Sequence, residues 1–171
     1  MRSDAPVAWN LVTRLTHWLI AFPVLLDFFI EGGEISHKIL GYIAFGTTLF
    51  RFIWGFFTKD EANFSSFPLH IKKTSEYAMS VFRKNKINYI GHNPLASWVY
   101  IFMWILVIAL GITGFMMGLD KYWGEAWLEE LHEVLSNGLM FLVALHFIGL
   151  FLDSWKFKRR TWLGMFTGKK S

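Results

Sequence analysis

Histidine is the residue type through which this 171-residue chain could do chemistry, because it has six His and no Cys. The lack of thiols excludes disulfide scaffolds, thiolate zinc sites, iron–sulfur clusters and covalently attached c-type haem. Four of the histidines, His17, His37, His132 and His146, stand in strongly apolar stretches. Polar side chains are costly inside a membrane, so these positions indicate function. The sequence therefore points to imidazole chemistry, either metal ligation or proton handling.

The spacing of His132 and His146 places them on one side of a helix. Fourteen residues at about 100° each leave the side chains about 40° apart around the axis and about 21 Å apart along it. One helix thus presents two imidazoles, one toward each side of the membrane. If the helices alternate in direction, His17 falls at the level of His146, and His37 falls at the level of His132. Two stacked pairs of histidines are predicted.

Paired neutral imidazoles from facing helices are the axial ligands that a bis-His haem iron requires. Arg14, three residues before His17, and Arg51, 14 residues after His37, could pair with haem propionates. Gly41, four residues after His37, would let a flat ring approach the helix backbone. The alternative for any single intramembrane His is an interhelical hydrogen bond. Four histidines at matching depths favour the haem interpretation.

The elements that must carry these residues are membrane helices. Apolar residues make up 54% of the chain and the mean hydropathy is +0.36, which is too apolar for a soluble domain of this length. A bilayer core about 30 Å thick needs about 20 mostly apolar residues per helix, and long continuous runs favour helices over barrel strands. The predicted fold is an all-α integral membrane four-helix bundle, a single domain over residues 1–171, with spans at about 11–30, 36–57, 94–119 and 126–155.

The charge distribution predicts the orientation of the bundle. With four spans, both termini and the middle loop share the side that holds 15 of the 17 Lys and Arg, which should be the cytoplasmic side. That side has a net charge of +10 and the opposite side −6. The N-terminal residues show no cleavable signal pattern, so the first span is expected to be retained. Asp27, near the outer end of this span, is interpreted as an interfacial polar residue, the alternative being a proton-handling carboxylate.

The middle loop contains the segment KKTSEYAMSVFRKNK, which mixes basic and apolar residues. This mixture fits a short helix lying on anionic lipid and fits a solvated basic loop equally well. His70, in the same loop, is interpreted as a solvated or structural histidine.

Several short motifs occur along nearly the whole chain: WNLVTRLTHW, HKILGY, RFIWGF, ANFSSF, GHNPLAS, GITG, and LHE followed 14 residues later by LHF. Together they resemble the bacterial cytochrome b561 family, which includes the cytochrome b subunits of nickel–iron hydrogenases. The resemblance implies a di-haem cytochrome b in the inner membrane. It places His17 and His146 on an inner haem iron, and His37 and His132 on an outer one.

The resemblance also implies a quinone near the inner haem, beside the segment that contains His92 and Asn93. Asn93 could donate a hydrogen bond to a quinone carbonyl, and His92 could accept a proton. The alternative is that GHNP only turns the chain into the third span, with Pro94 at its start.

The residues and the resemblance together predict an electron-transfer protein. Two non-covalent haems b would carry electrons between the quinone pool and a periplasmic redox protein, either a c-type cytochrome or a hydrogenase or dehydrogenase subunit. The chain would work in the lipid of the bacterial inner membrane and would not bind nucleic acid. It could be part of a quinone/quinol oxidoreductase, and the sequence leaves open whether it is itself an enzyme. Two alternatives stand: a membrane-anchor subunit of a periplasmic dehydrogenase, and a His-lined metal or proton transporter.

Overall fold

The computed structural model describes residues 9–30, 32–59, 62–82, 93–158 and 160–169. Four long helices dominate it: α1 (Leu11–Asp27), α2 (Ile35–Phe57), α4 (Pro94–Met117) and α5 (Ala126–Phe157), with the shorter α3 (Ile71–Phe82) before α4 and α6 (Gly164–Thr167) after α5. Short 3-10 turns lie in the connections at Phe64–Ser66, Asp120–Tyr122 and Thr161–Leu163. The predicted all-α class is confirmed over the described residues.

Three helices, α2, α4 and α5, are long and apolar enough to cross a membrane. Their bounds agree with the second, third and fourth predicted spans to within two residues at each end. The first predicted span is shorter than expected, because α1 has 17 residues and ends at Asp27. The amides of Phe29 and Ile30 bond back three residues instead of four, which closes the helix in a turn.

Two asparagines fix where the helices begin, and hence the register of the histidines they carry. Asn10 caps α1, its side-chain oxygen accepting from the amide of Thr13 at 2.7 Å. Asn93 caps α4 in the same way, accepting from the amide of Ala96 at 2.8 Å, with Pro94 in the first turn. Both caps satisfy amides that have no partner within the helix.

The helices share a small core. The closely packed pairs of long helices are α1 with α2, α2 with α4, and α4 with α5. Four buried apolar residues form the centre of the core: Ala44, Val107, Leu139 and Val143. Most of the large apolar side chains on these helices are exposed instead, which is expected where lipid replaces water as the surroundings of a helix.

The middle-loop segment forms the helix α3, which packs against α4. Tyr77 and Ser80 are buried on one side of this helix, while Lys72 and Lys73 are exposed. The helical interpretation of the segment is therefore confirmed for its described part. His92, further along, lies outside the described residues.

Residues 160–169 fold back onto the start of α1, and we call this segment the C-terminal return. The amide of Trp9 donates to the carbonyl of Gly168 at 2.6 Å. The Arg14 guanidinium donates to the carbonyls of Met165, at 3.2 Å, and Phe166. Trp18 Nε1 also donates to the Met165 carbonyl at 3.2 Å. The return thereby covers the end of α1 that carries His17.

Replacing Gly168 by alanine is expected to loosen the C-terminal return. Gly168 has φ +78, and an added Cβ would lie 3.2 Å from the carbonyl oxygen of Trp9. Gly124 is a matched control, because it has φ +75 but no atom within 4 Å of an added Cβ. Both substitutions carry the left-handed backbone cost, about 1–2 kcal/mol, but only Gly168→Ala also crowds the contact. Hydrogen exchange at the Trp9 amide should therefore accelerate in Gly168→Ala and stay unchanged in Gly124→Ala; equal exchange in both would contradict the contact.

Candidate functional site

The outer pair of histidines consists of His37 on α2 and His132 on α5. Their ring centres lie 6.2 Å apart, with the ring planes at 64°. Two imidazoles that bind one metal ion from opposite sides, through bonds of about 2 Å each, have ring centres roughly 6 Å apart. The separation of the two rings thus fits a shared iron.

Each ring of the outer pair has a polar partner at its Nδ1. Asp27 Oδ1 lies 3.0 Å from His37 Nδ1, within hydrogen-bonding distance although not aligned as in a regular hydrogen bond. Thr113 Oγ1, on α4, lies 2.7 Å from His132 Nδ1. The second nitrogen of each ring is the one left to bind a metal.

The inner pair consists of His17 on α1 and His146 on α5. Their pairing at one depth stays a prediction. His17 packs edge-on against Trp18, with ring centres 4.9 Å apart, and His146 packs against Tyr100 at 5.6 Å. His17 Nδ1 is buried and makes no hydrogen bond with the described residues. A buried ring nitrogen without a partner suits a ligand-binding role, since leaving it unsatisfied is costly.

Glycines lie close to the outer pair, on helices beside the histidines. The helix pairs that carry opposing histidines, α1 with α5 and α2 with α5, are not among the closely packed pairs of the described residues. An added Cβ at Gly114 would lie 3.5 Å from His132 Cε1, and one at Gly41 would lie 3.8 Å from Asp27 Oδ2. Small residues therefore line the outer pair, and the donor set fits a haem.

The two arginines predicted to meet haem propionates both make contacts with the protein itself. Arg51 is only 5% exposed and donates to the carbonyl of Ala62 at 3.0 Å. Its guanidinium also stands 5.1 Å from the ring centre of Trp104. Arg14 is held by the C-terminal return, as described above. These contacts hold both cations in place, and pairing with propionates stays a prediction.

Of the two candidate quinone contacts, His92 and Asn93, the structure describes only Asn93. His92 lies outside the described residues. Asn93 caps α4 through its side-chain oxygen, as the purely structural alternative required. The cap uses the oxygen alone, so the amide nitrogen remains the donor that could meet a quinone carbonyl.

Sequence reasoning missed Thr113 as a partner of His132, although it stands within the GITG motif. Asp27, which the sequence indicates as an interfacial polar residue, has its carboxylate against His37. A signal was available for Asp27, because a carboxylate ten residues before a histidine, across a short turn, reaches the same end of two antiparallel helices. For Thr113 we find no such signal.

Among the described residues, no three metal-ligating side chains come together to hold a bare metal ion. A porphyrin iron needs only two axial ligands from the protein. The fold and the site therefore define a helical membrane protein that presents paired imidazoles from facing helices.

A comparison with known protein families identifies the class of helical membrane protein to which the chain belongs. The family model of prokaryotic cytochrome b561 matches residues 8–168, nearly the whole chain. The chain therefore belongs to the prokaryotic cytochrome b561 family and is a membrane b-type cytochrome of electron transfer. No curated protein and no solved structure matches it. The resemblance found in the sequence motifs is confirmed.

Proposed function

We propose that this cytochrome carries electrons across the bacterial inner membrane between the quinone pool and a periplasmic redox protein, through two haems b. The observation that carries the proposal is the meeting of His37 and His132 from different helices with ring centres 6.2 Å apart. His17 and His146 form the second site, about 21 Å away along the axis by the spacing on α5. In this proposal α1 also crosses the membrane, since its 17 residues are at the lower limit of length for a membrane span. Together with α2, α4 and α5 it gives four spans.

When bound, each haem supplies a one-electron iron couple. The chain supplies everything else. The four imidazoles would hold the iron, the apolar helices would exclude water and so tune the potential, and Arg14 and Arg51 would place positive charge at the predicted inner end.

The outer end of the molecule supports a redox partner of basic character. Exposed carboxylates follow one another there along the start of α5, and the exposed ring of Trp123 stands beside them. They belong to Glu125, Glu129, Glu130 and Glu133. Such a surface would speed the approach of a positively charged protein, and raised salt should slow it.

Reconstituted vesicles can test whether electrons pass through both haem sites, whichever direction they take in the cell. A quinol is supplied in the bilayer, and ferricyanide, which does not cross it, is supplied only at the outer face of the protein. The wild type should reduce ferricyanide. His37→Ala should stop this reduction while quinol still reduces the remaining haem. His70→Ala, in an exposed loop position, should behave like the wild type. Ferricyanide reduction that survives loss of the outer haem would contradict transfer through both sites.

The same vesicles test Asn93 as the quinone contact. Asn93→Asp keeps an oxygen to cap α4 and removes the amide donor, so haem content should be unchanged while quinol-dependent haem reduction slows at least about tenfold, the loss expected for about 1.4 kcal/mol. An unchanged rate in Asn93→Asp would remove Asn93 from the quinone site.

A further inference from the structure

We infer that Asp27 and Thr113 are positioning residues of the outer haem, each holding one axial histidine by its Nδ1 so that Nε2 faces the iron. The inference rests on the proposed function, because it assigns a role to contacts around the proposed ligands. It goes beyond that function in giving the two histidines of the outer pair different electronic characters.

The hydrogen bonds of Thr113 determine which nitrogen of His132 carries the proton. Thr113 Oγ1 lies 3.0 Å from the carbonyl of Ala109 and 3.1 Å from that of Leu110, and carbonyls can only accept. The hydroxyl hydrogen is therefore directed to its own helix, and the oxygen accepts from His132 Nδ1–H at 2.7 Å. This leaves the lone pair of His132 on Nε2, where a metal can bind it.

Asp27 is the corresponding partner of His37, with a carboxylate in place of a hydroxyl. Its carboxylate oxygen and the ring Nδ1 lie 3.0 Å apart. Both atoms are buried, and neither makes a regular hydrogen bond with the described residues, so the carboxylate and the ring face each other alone. A carboxylate beside the far nitrogen of a ligating imidazole fixes the ring and raises its basicity. His37 is thus the stronger electron donor of the outer pair.

His17, in the predicted inner pair, has no carboxylate partner of this kind, because its Nδ1 makes neither a hydrogen bond nor an ion pair with the described residues. A more basic ligand favours ferric over ferrous iron, so Asp27 should lower the potential of the outer haem alone.

Redox titration and electron paramagnetic resonance of the purified holoprotein test this. Asp27→Asn keeps an oxygen acceptor but loses the charge, so the outer haem should rise in potential by about 59 mV for each tenfold change in its ferrous-to-ferric ratio. We expect at least one such tenfold change, with the inner haem unaltered. Asp27→Leu loses the acceptor too, so it should also change the g-values of the outer haem, which report ring orientation. Glu34→Gln, an exposed carboxylate three residues before His37, should change neither.

Thr113 offers an independent pair of variants. Thr113→Val, which is isosteric but has no hydroxyl, should alter the g-values of the outer haem, and Thr113→Ser should restore them. Loss of the outer haem alone in Asp27→Leu or Thr113→Val would equally support positioning. If Asp27→Leu shows the wild-type potential and g-values, or Glu34→Gln shifts the potential as much as Asp27→Asn, the role of Asp27 is overturned. If both haems are lost in the Asp27 variants, a Thr113→Val protein identical to the wild type overturns the inference. A wild type without two haems would instead refute the proposed function.

Discussion

His132→Ala is expected to lower the haem content from two per chain to one, and His37→Ala is expected to leave the same residual spectrum. The reason is that both rings belong to one site, with centres 6.2 Å apart. Either substitution removes one of the two bonds that would hold the iron of that site, so the haem of that site should be lost. His17→Ala and His146→Ala should leave the other haem, with its own spectrum and potential. The haemochrome assay, combined with protein quantification, measures the ratio.

Two comparisons make this result specific. His70→Ala should keep both haems, because His70 lies in an exposed loop position. A different residual spectrum in His37→Ala and His132→Ala would mean that these residues serve different haems, and the pairing by depth would be wrong.

Gly111→Ala is expected to destabilise the fold where α2 crosses α4. An added Cβ at Gly111 would lie 2.3 Å from Cγ of Phe45 and 2.8 Å from its Cβ. These atoms are close to the α2 backbone, so rotation of the ring cannot relieve the clash and the helices must separate. Overpacking of this kind costs about 1–3 kcal/mol. Because α4 also carries Thr113, the shift should weaken its contact with His132.

Gly46→Ala is the matched control for Gly111→Ala. Gly46 lies on α2, and no atom stands within 4 Å of an added Cβ there. This variant should be as stable as the wild type or gain up to about 1 kcal/mol from better helix propensity. Unfolding in a titration with denaturing detergent, followed by the haem absorbance, measures both variants. Equal midpoints for Gly111→Ala and Gly46→Ala would contradict the close approach of α2 and α4.

Much of the fold could be predicted because it follows from single-chain periodicity and bilayer thickness. Long apolar runs predicted α2, α4 and α5 to within two residues at each end. The start of α4 was visible in the Asn93–Pro94 pair, which combines a capping side chain with a residue suited to the first turn. The pairing of His37 with His132 at one level followed from counting residues along alternating helices.

The contacts that link distant segments could not be predicted in the same way. The C-terminal return binds Arg14 through backbone carbonyls about 150 residues away, and backbone acceptors carry no sequence signal. Thr113 meets His132 only because of how α4 and α5 are rotated about their axes. Periodicity can show which side of a helix faces the core only where polar and apolar residues alternate. Because α4 is apolar all round, its rotation about its axis could not be predicted.

The position of Asp27 shows why a polar residue near a span end is ambiguous. An interfacial carboxylate and a carboxylate bound to a histidine look alike in sequence. The turn after α1 decides between them, because it brings the end of α1 beside the start of α2 and so places Asp27 against His37.

The number of haems per chain in the purified wild type tests the central claim most directly. Haemochrome quantification should give two haems b per chain, and the electron paramagnetic resonance spectrum should show two low-spin ferric species with bis-imidazole ligation. A single haem per chain, or iron with a high-spin spectrum at both sites, would contradict a cytochrome built on two pairs of histidines.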